Sequence, residues 1–218
     1  KVEAENRARL VALLDIIPAS RCPSGWRLAG SYAVGGLTEV GFSKTSDLML
    51  VLSSAGRGVI DPIRGEVVAR DEEPTGRWLN GRLLLCDGIG PLANETIQLA
   101  GLSGGGLPLG SDRGESLNAV YPNWPLCDLI FCSDFGSALI EHWQASCVRI
   151  ASDHVRTFGF SWTGNAFAYA TSSDVHVYLR TSAAEVRQLL RPLLAESGHR
   201  QPVDPCFLRA VSPSELTR

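Results

Sequence analysis

The residues that could do chemistry in this chain are few, and their spacing limits what they can do. Gly101-Leu102-Ser103-Gly104-Gly105 has the GxSxG spacing that sets a serine nucleophile on a sharp strand-to-helix turn. A strand can precede it, but Gly106-Leu107-Pro108 cannot open a regular helix after it. Cys132, followed by Ser133 and Asp134, is a second candidate nucleophile, and His142 and His154 are the candidate bases. These histidines adjoin Glu141 and Asp153, and adjacent side chains diverge on a strand, so a hydrolase built from Ser103 or Cys132 and a His/Asp pair must be assembled in three dimensions.

Metal and cofactor chemistry finds no recognised spacing. His142, His154, His176 and His199 form no HExxH, and the cysteines at 22, 86, 127, 132, 147 and 206 form no CxxC. The Gly-rich stretch has no following Gly-Lys-Ser/Thr and does not match GxGxxG. No cofactor and no metal are expected. Free cysteines beside Leu85, Phe131 and Val148 read as buried reduced thiols, which suits a cytoplasmic protein.

Binding residues are easier to nominate. Ser103 to Gly114 is the longest Gly-rich stretch, and Gly104, Gly105 and Gly106 with Arg113 could hold an anion or a peptide carboxylate on exposed amides. Trp124, in the turn Tyr121-Pro122-Asn123-Trp124-Pro125, is joined by Trp143 and Trp162 as an interface-type aromatic. Asp174, His176, Tyr178 and Arg180 alternate with Val175, Val177 and Leu179, which predicts a strand with the polar set facing solvent or a partner.

These residues need a scaffold, and the pattern predicts one that is α+β, mainly β: antiparallel sheets of short hairpin-connected strands with one helix near each terminus, in one domain over 1–218. The central element is Asp47 to Asp71. Leu48 to Leu52 is apolar without alternation, as in a strand covered on both faces. Turns at Ser53–Gly56 and Pro62–Gly65 then return the chain twice.

Further strands are expected at Trp26–Ala29, Leu37–Phe42, Glu95–Leu102, Leu126–Cys132, Ser146–Ala151, Thr157–Trp162, Ala166–Thr171 and Asp174–Arg180. Asn80-Gly81 predicts a type I′ hairpin, and Ser137 to Gln144 fits a short helix or a strand equally. Helices are expected over Glu3–Ile17, within an N-terminal element at 1–17, and at 183–195, followed by a surface tail at 196–218. The hairpins of 157–180 are similar to a β-propeller blade, but the chain is short for a closed ring and shows no fixed period.

Ser54-Ala55-Gly56-Arg57-Gly58-Val59-Ile60-Asp61, continued by Gly65-Glu66-Val67-Val68-Ala69-Arg70-Asp71, resembles a segment of a group of uncharacterised bacterial proteins. Gly88 to Ala93 and Ala100 to Leu102 are similar to that group too. The resemblance implies a bacterial origin and carries no activity.

Composition excludes other classes. A net charge of -3 gives no bulk attraction to nucleic acid or anionic lipid, and no apolar run approaches the roughly 20 residues of a membrane span. Lys1-Val2-Glu3-Ala4-Glu5 leads into no signal-like apolar core. The sequence therefore points to a non-enzymatic binding or accessory protein of the protein-interaction or immunity type, with another protein as partner and the oligomeric state open. The hydrolase is the alternative.

Overall fold

The computed structural model describes residues 2–73 and 76–182, so the expected helix at 183–195 and tail at 196–218 lie outside the described residues. Helix α1 (Val2–Asp15) is followed by β1 (Trp26–Ala33), β2 (Leu37–Phe42), β3 (Met49–Ser53), β4 (Gly56–Asp61) and β5 (Glu66–Asp71). Five short strands come next: β6 (Leu79–Asn80), β7 (Leu85–Asp87), β8 (Thr96–Gln98), β9 (Ala100–Gly101) and β10 (Gly104–Gly105). The rest are β11 (Ser116–Asn123), β12 (Leu126–Cys132), β13 (Cys147–Asp153), β14 (Thr157–Phe160), β15 (Ala166–Ala170) and β16 (Asp174–Arg180).

All paired strands run antiparallel, in four sheets. Sheet A is β11-β12-β13, sheet B is β1-β16-β15-β14, sheet C is β10-β9-β2-β3-β4-β5 and sheet D is β6-β7-β8. Among the described residues, the first strand thus completes the sheet made by the last three.

Side-chain size on opposite strand faces sets the stacking. On β15, Ala166, Ala168 and Ala170 face Val40, Met49, Val51 and Ile60 of sheet C, while Phe167 and Tyr169 face Leu117, Leu129 and Phe131 of sheet A. Small residues let sheet C approach closely, and rings fill the wider gap to sheet A. Strand β3 is buried on both faces as its unbroken apolar run requires: Met49 and Val51 turn to sheet B, and Leu50 and Leu52 pack with Trp78, Cys86 and Ile97 of the sheet D segment. Helix α1 lies on the outer face of sheet A through Leu10 and Leu14, with Ile17 just beyond it, against Val120, Ile130 and Cys147.

Several expectations are corrected. On the face Asp174, His176, Tyr178, Arg180, Tyr178 is 3% exposed and packs with sheet A, Arg180 reaches Glu115 just before β11, and Asp174 and His176 are half-buried. Over its second half the alternation of β16 therefore separates two packed faces rather than a core from water. Asn80-Gly81 does not close a two-residue turn, because Leu79 pairs with Cys86 and Asn80 with Leu85 around a four-residue connection, 81–84. The Asn80 side chain accepts from the Leu83 amide, and the left-handed position falls on Leu84. The strand expected over Glu95–Leu102 breaks at Leu99, where the chain leaves sheet D for sheet C. Ser137 to Gln144 is neither helix nor strand.

Candidate functional site

The expected nucleophiles and bases do not meet. Ser103 sits in the turn between β9 and β10, where its hydroxyl donates to Glu39 Oε1 at 2.7 Å and its amide to the same oxygen at 3.2 Å. That carboxylate fixes the turn, and among the described residues no imidazole is there to take the hydroxyl proton. Cys132 is buried with its sulfur 2.8 Å from that of Cys147, its directly opposed partner on β13. Burial, and then the neighbouring thiol, push the Cys132 thiol well above its ordinary value, which disfavours the thiolate that nucleophilic attack needs.

His142 has its side chain almost wholly in solvent, 3.9 Å from Glu141, and His154 is an exposed residue whose amide caps Asp153. Among the described residues, no group of three His, Cys, Asp or Glu side chains could hold a metal ion.

One serine-histidine contact is present that the sequence reading missed. Ser31 on β1 faces His176 on β16, with Oγ 2.8 Å from Nδ1, and the His176 ring stacks on Tyr169 at 4.5 Å. Burial lowers the His176 pKa, partly offset by Asp174 and Asp153. Ser31 is exposed on an edge strand, and among the described residues no carboxylate accepts from the other ring nitrogen. The pair lacks the orienting third group of a catalytic triad.

The glycine-rich stretch is docked. Gly104 and Gly105 pair with Gly101 and Ala100, Leu107 is buried, and the Phe160 amide donates to the Pro108 carbonyl at 2.7 Å. Gly106 stays exposed, and Arg113 is exposed on a turn that Ser111 and Glu115 hold.

Trp124 is 79% exposed at the tip of the β11–β12 hairpin, its ring 5.6 Å from Tyr121. Arg7 of α1 braces that tip through the Pro122 carbonyl and the Asn123 side chain.

At the other end of sheet A lies the connection between β12 and β13. Antiparallel neighbours need only two to five residues to join them, and this connection takes all of 133–146. Its four large apolar side chains, Phe135, Leu139, Ile140 and Trp143, are 52–75% exposed. Three of the four non-glycine residues with left-handed backbone among the described residues are also here: Asp134 (φ 50°), Phe135 (φ 58°) and His142 (φ 70°). Each such conformation costs on the order of 1 kcal/mol or more and persists only where its surroundings over-determine it.

The neighbouring groups supply that constraint. The neck is tied three times, Ser146 Oγ donating to the Ser133 carbonyl at 2.6 Å, and the Ser133 amide and hydroxyl to the Ser146 carbonyl at 3.1 and 3.2 Å. Gln144 donates to the carbonyls of Ala138 and of Leu13 in α1, both at 2.9 Å, and Ala138 is buried. The Phe135 amide donates to the Gly114 carbonyl at 2.8 Å, and a Cβ on Gly114 would lie 2.7 Å from the Phe135 ring. A Cβ on Gly136 would lie 2.3 Å from Ser146 Oγ, so the neck needs glycine. The arrangement is a held platform of apolar groups, suited to contact rather than bond-making.

No protein-family model matches the chain, and no curated protein matches it either. Trp143 was visible in the sequence as a surface aromatic, whereas Phe135, Leu139 and Ile140 were missed. The signal that could have found them is an aperiodic connection too long for the hairpin it closes.

Proposed function

We propose that the chain is a non-catalytic binding protein of accessory or immunity type that recognises another protein through Phe135, Leu139, Ile140 and Trp143. The observation that carries this reading is the pairing of exposed apolar side chains with a strained, multiply tied backbone at 133–146. A connection that merely linked two strands would need neither. The bacterial origin and cytoplasmic setting expected from the sequence belong to the same proposal. Among the described residues no helix is long and apolar enough to cross a membrane.

The test keeps the apolar groups and changes only how they are held. A benzophenone side chain at position 139, irradiated in extract of the cells that make the protein, is expected to give a protein adduct that the Gly136→Ala change abolishes. The same probe at Ile63, an exposed apolar residue in the turn between β4 and β5, should give none. Identical adducts from 139 and 63, or an adduct indifferent to G136A, would refute a built contact surface.

A further inference from the structure

A second site lies between sheets B and C, away from the apolar loop. Where β1 diverges from β4 and β5, a cavity of about 470 Å³ opens, lined by Tyr32, Val34, Val51, Gly58, Ile60, Val67 and Arg70 among others. That volume falls within the roughly 300–1,000 Å³ of small-molecule pockets.

Register explains the hollow. Val51, Gly58 and Arg70 are direct partners across β3, β4 and β5, so they share one face, and the missing side chain at Gly58 leaves a trough between a valine and an arginine. A Cβ at Gly58 would meet the Ala69 carbonyl oxygen at 3.4 Å and Val51 and Val67 at 3.6 and 3.9 Å, all ordinary contact distances, and its backbone is not left-handed. Neither clash nor conformation demands glycine there.

Two polar side chains lining this cavity lack partners among the described residues. Arg70 is exposed and makes no ion pair or hydrogen bond there. The Tyr32 ring folds across Gly30, where a Cβ would sit 2.7 Å from its hydroxyl, and that hydroxyl is buried with no hydrogen-bond partner among the described residues. A buried donor left unmade is a recurring mark of a ligand or functional position. Asp61, whose charge acts on Tyr32, is turned to its own hairpin, accepting from the Ile63 and Arg64 amides at 2.9 and 3.1 Å. Burial, with Asp61 adding to it, raises the Tyr32 pKa and keeps the phenol a donor.

We infer that this cavity binds a small carboxylic acid with an apolar body, the carboxylate on Arg70 beside Tyr32 and the body in the trough over Gly58 between Val51, Ile60 and Val67. No covalent step is involved.

The test is titration of the full chain with phenylacetate, hexanoate and the neutral phenylacetamide, followed by amide resonances of Val34, Gly56 and Gly58. Phenylacetate or hexanoate should give saturable shifts, and phenylacetamide should bind at least about tenfold more weakly, equivalent to about 1.4 kcal/mol. Arg70→Gln should remove that preference while the protein keeps its melting temperature, because Arg70 makes no ion pair or hydrogen bond among the described residues. Gly58→Val should abolish the shifts by filling the trough. Tyr32→Phe should weaken acid binding without lowering stability. If neither acid gives a saturable shift in the wild type, or if acid and amide bind alike, the inference is wrong. Shifts that survive in both R70Q and G58V would place the ligand elsewhere and equally overturn it.

Discussion

Two arginines lie flat on tryptophans at two different sheet junctions, each with its guanidinium carbon 4.4 Å from a ring centre. Arg180 covers Trp26 and grips Glu115 with both arms, at 2.9 and 2.6 Å, tying sheet B to the turn that enters sheet A. Arg57 covers Trp78, pairs with Asp71 at 2.8–2.9 Å and donates to the Asp87 carbonyl at 2.6 Å, tying sheet C to sheet D. Glu115 also takes hydrogen bonds from Trp26 and Ser111, and its side chain is 10% exposed. Asp71 is 26% exposed and spends its second oxygen on the nearby Glu73 amide. The same motif is thus a sealed junction in one place and a half-open one in the other. The sealed one is continuous with the proposed contact surface, since Ser111 and Gly114 belong to the turn that carries Phe135.

The largest expected effect comes from breaking the sealed clamp. Arg180→Ala leaves the Glu115 carboxylate buried without its counter-charge, which typically costs about 3 kcal/mol or more and corresponds to a fall of roughly 10 °C in melting temperature for a chain of this size. Adduct formation at position 139 should weaken too, because the turn under Phe135 loses its anchor. Arg57→Ala removes a stacked cation and a hydrogen bond to the part-buried Asp87 carbonyl, and water can reach the remaining carboxylate; about 2 kcal/mol is expected, with binding at 139 unchanged. Thermal denaturation of both variants ranks the clamps, and an R57A loss as large as that of R180A would show that carboxylate exposure does not set the difference.

The scaffold was more legible in the sequence than these junctions. Leu48 to Leu52 announced a doubly buried strand by composition, which the structure begins at Met49, and Ala166 to Ala170 announced two unlike faces by strict alternation of alanine with rings. Pairings between Arg180 and Glu115, 65 residues apart, leave no local trace. Tyr178 and Arg180 read as a solvent face because alternation reports two environments without saying that both are buried. Phe135, Leu139 and Ile140 failed for the opposite reason: in a strand they would be core, and only the backbone that turns them outward reveals their role. The Ser31–His176 contact joins residues 145 apart on β1 and β16, a pairing that exists only because β1 completes the sheet of β14, β15 and β16.

The smallest effect separates the two clamps by acid. Burial alone would raise the Glu115 carboxyl, but the hydrogen bonds from Arg180, Ser111 and Trp26 outweigh it and hold its pKa below the ordinary value. The Glu73 amide, followed by Arg57, lowers that of Asp71. A carboxylate whose folded pKa is depressed binds fewer protons folded than unfolded, so its stabilisation is complete above the unfolded value near 4 and is lost as pH falls through the folded one. His176, also depressed, adds a loss that begins higher, as pH drops below about 6.5. Urea unfolding measured from pH 7 to pH 3 should therefore decline in two stages. His176→Gln is expected to flatten the upper stage, and Glu115→Gln to flatten the lower stage more than Asp71→Asn does, because water already screens Asp71. A lower stage that survives E115Q and disappears in D71N would reverse the ranking and make the half-open clamp the acid-sensitive one.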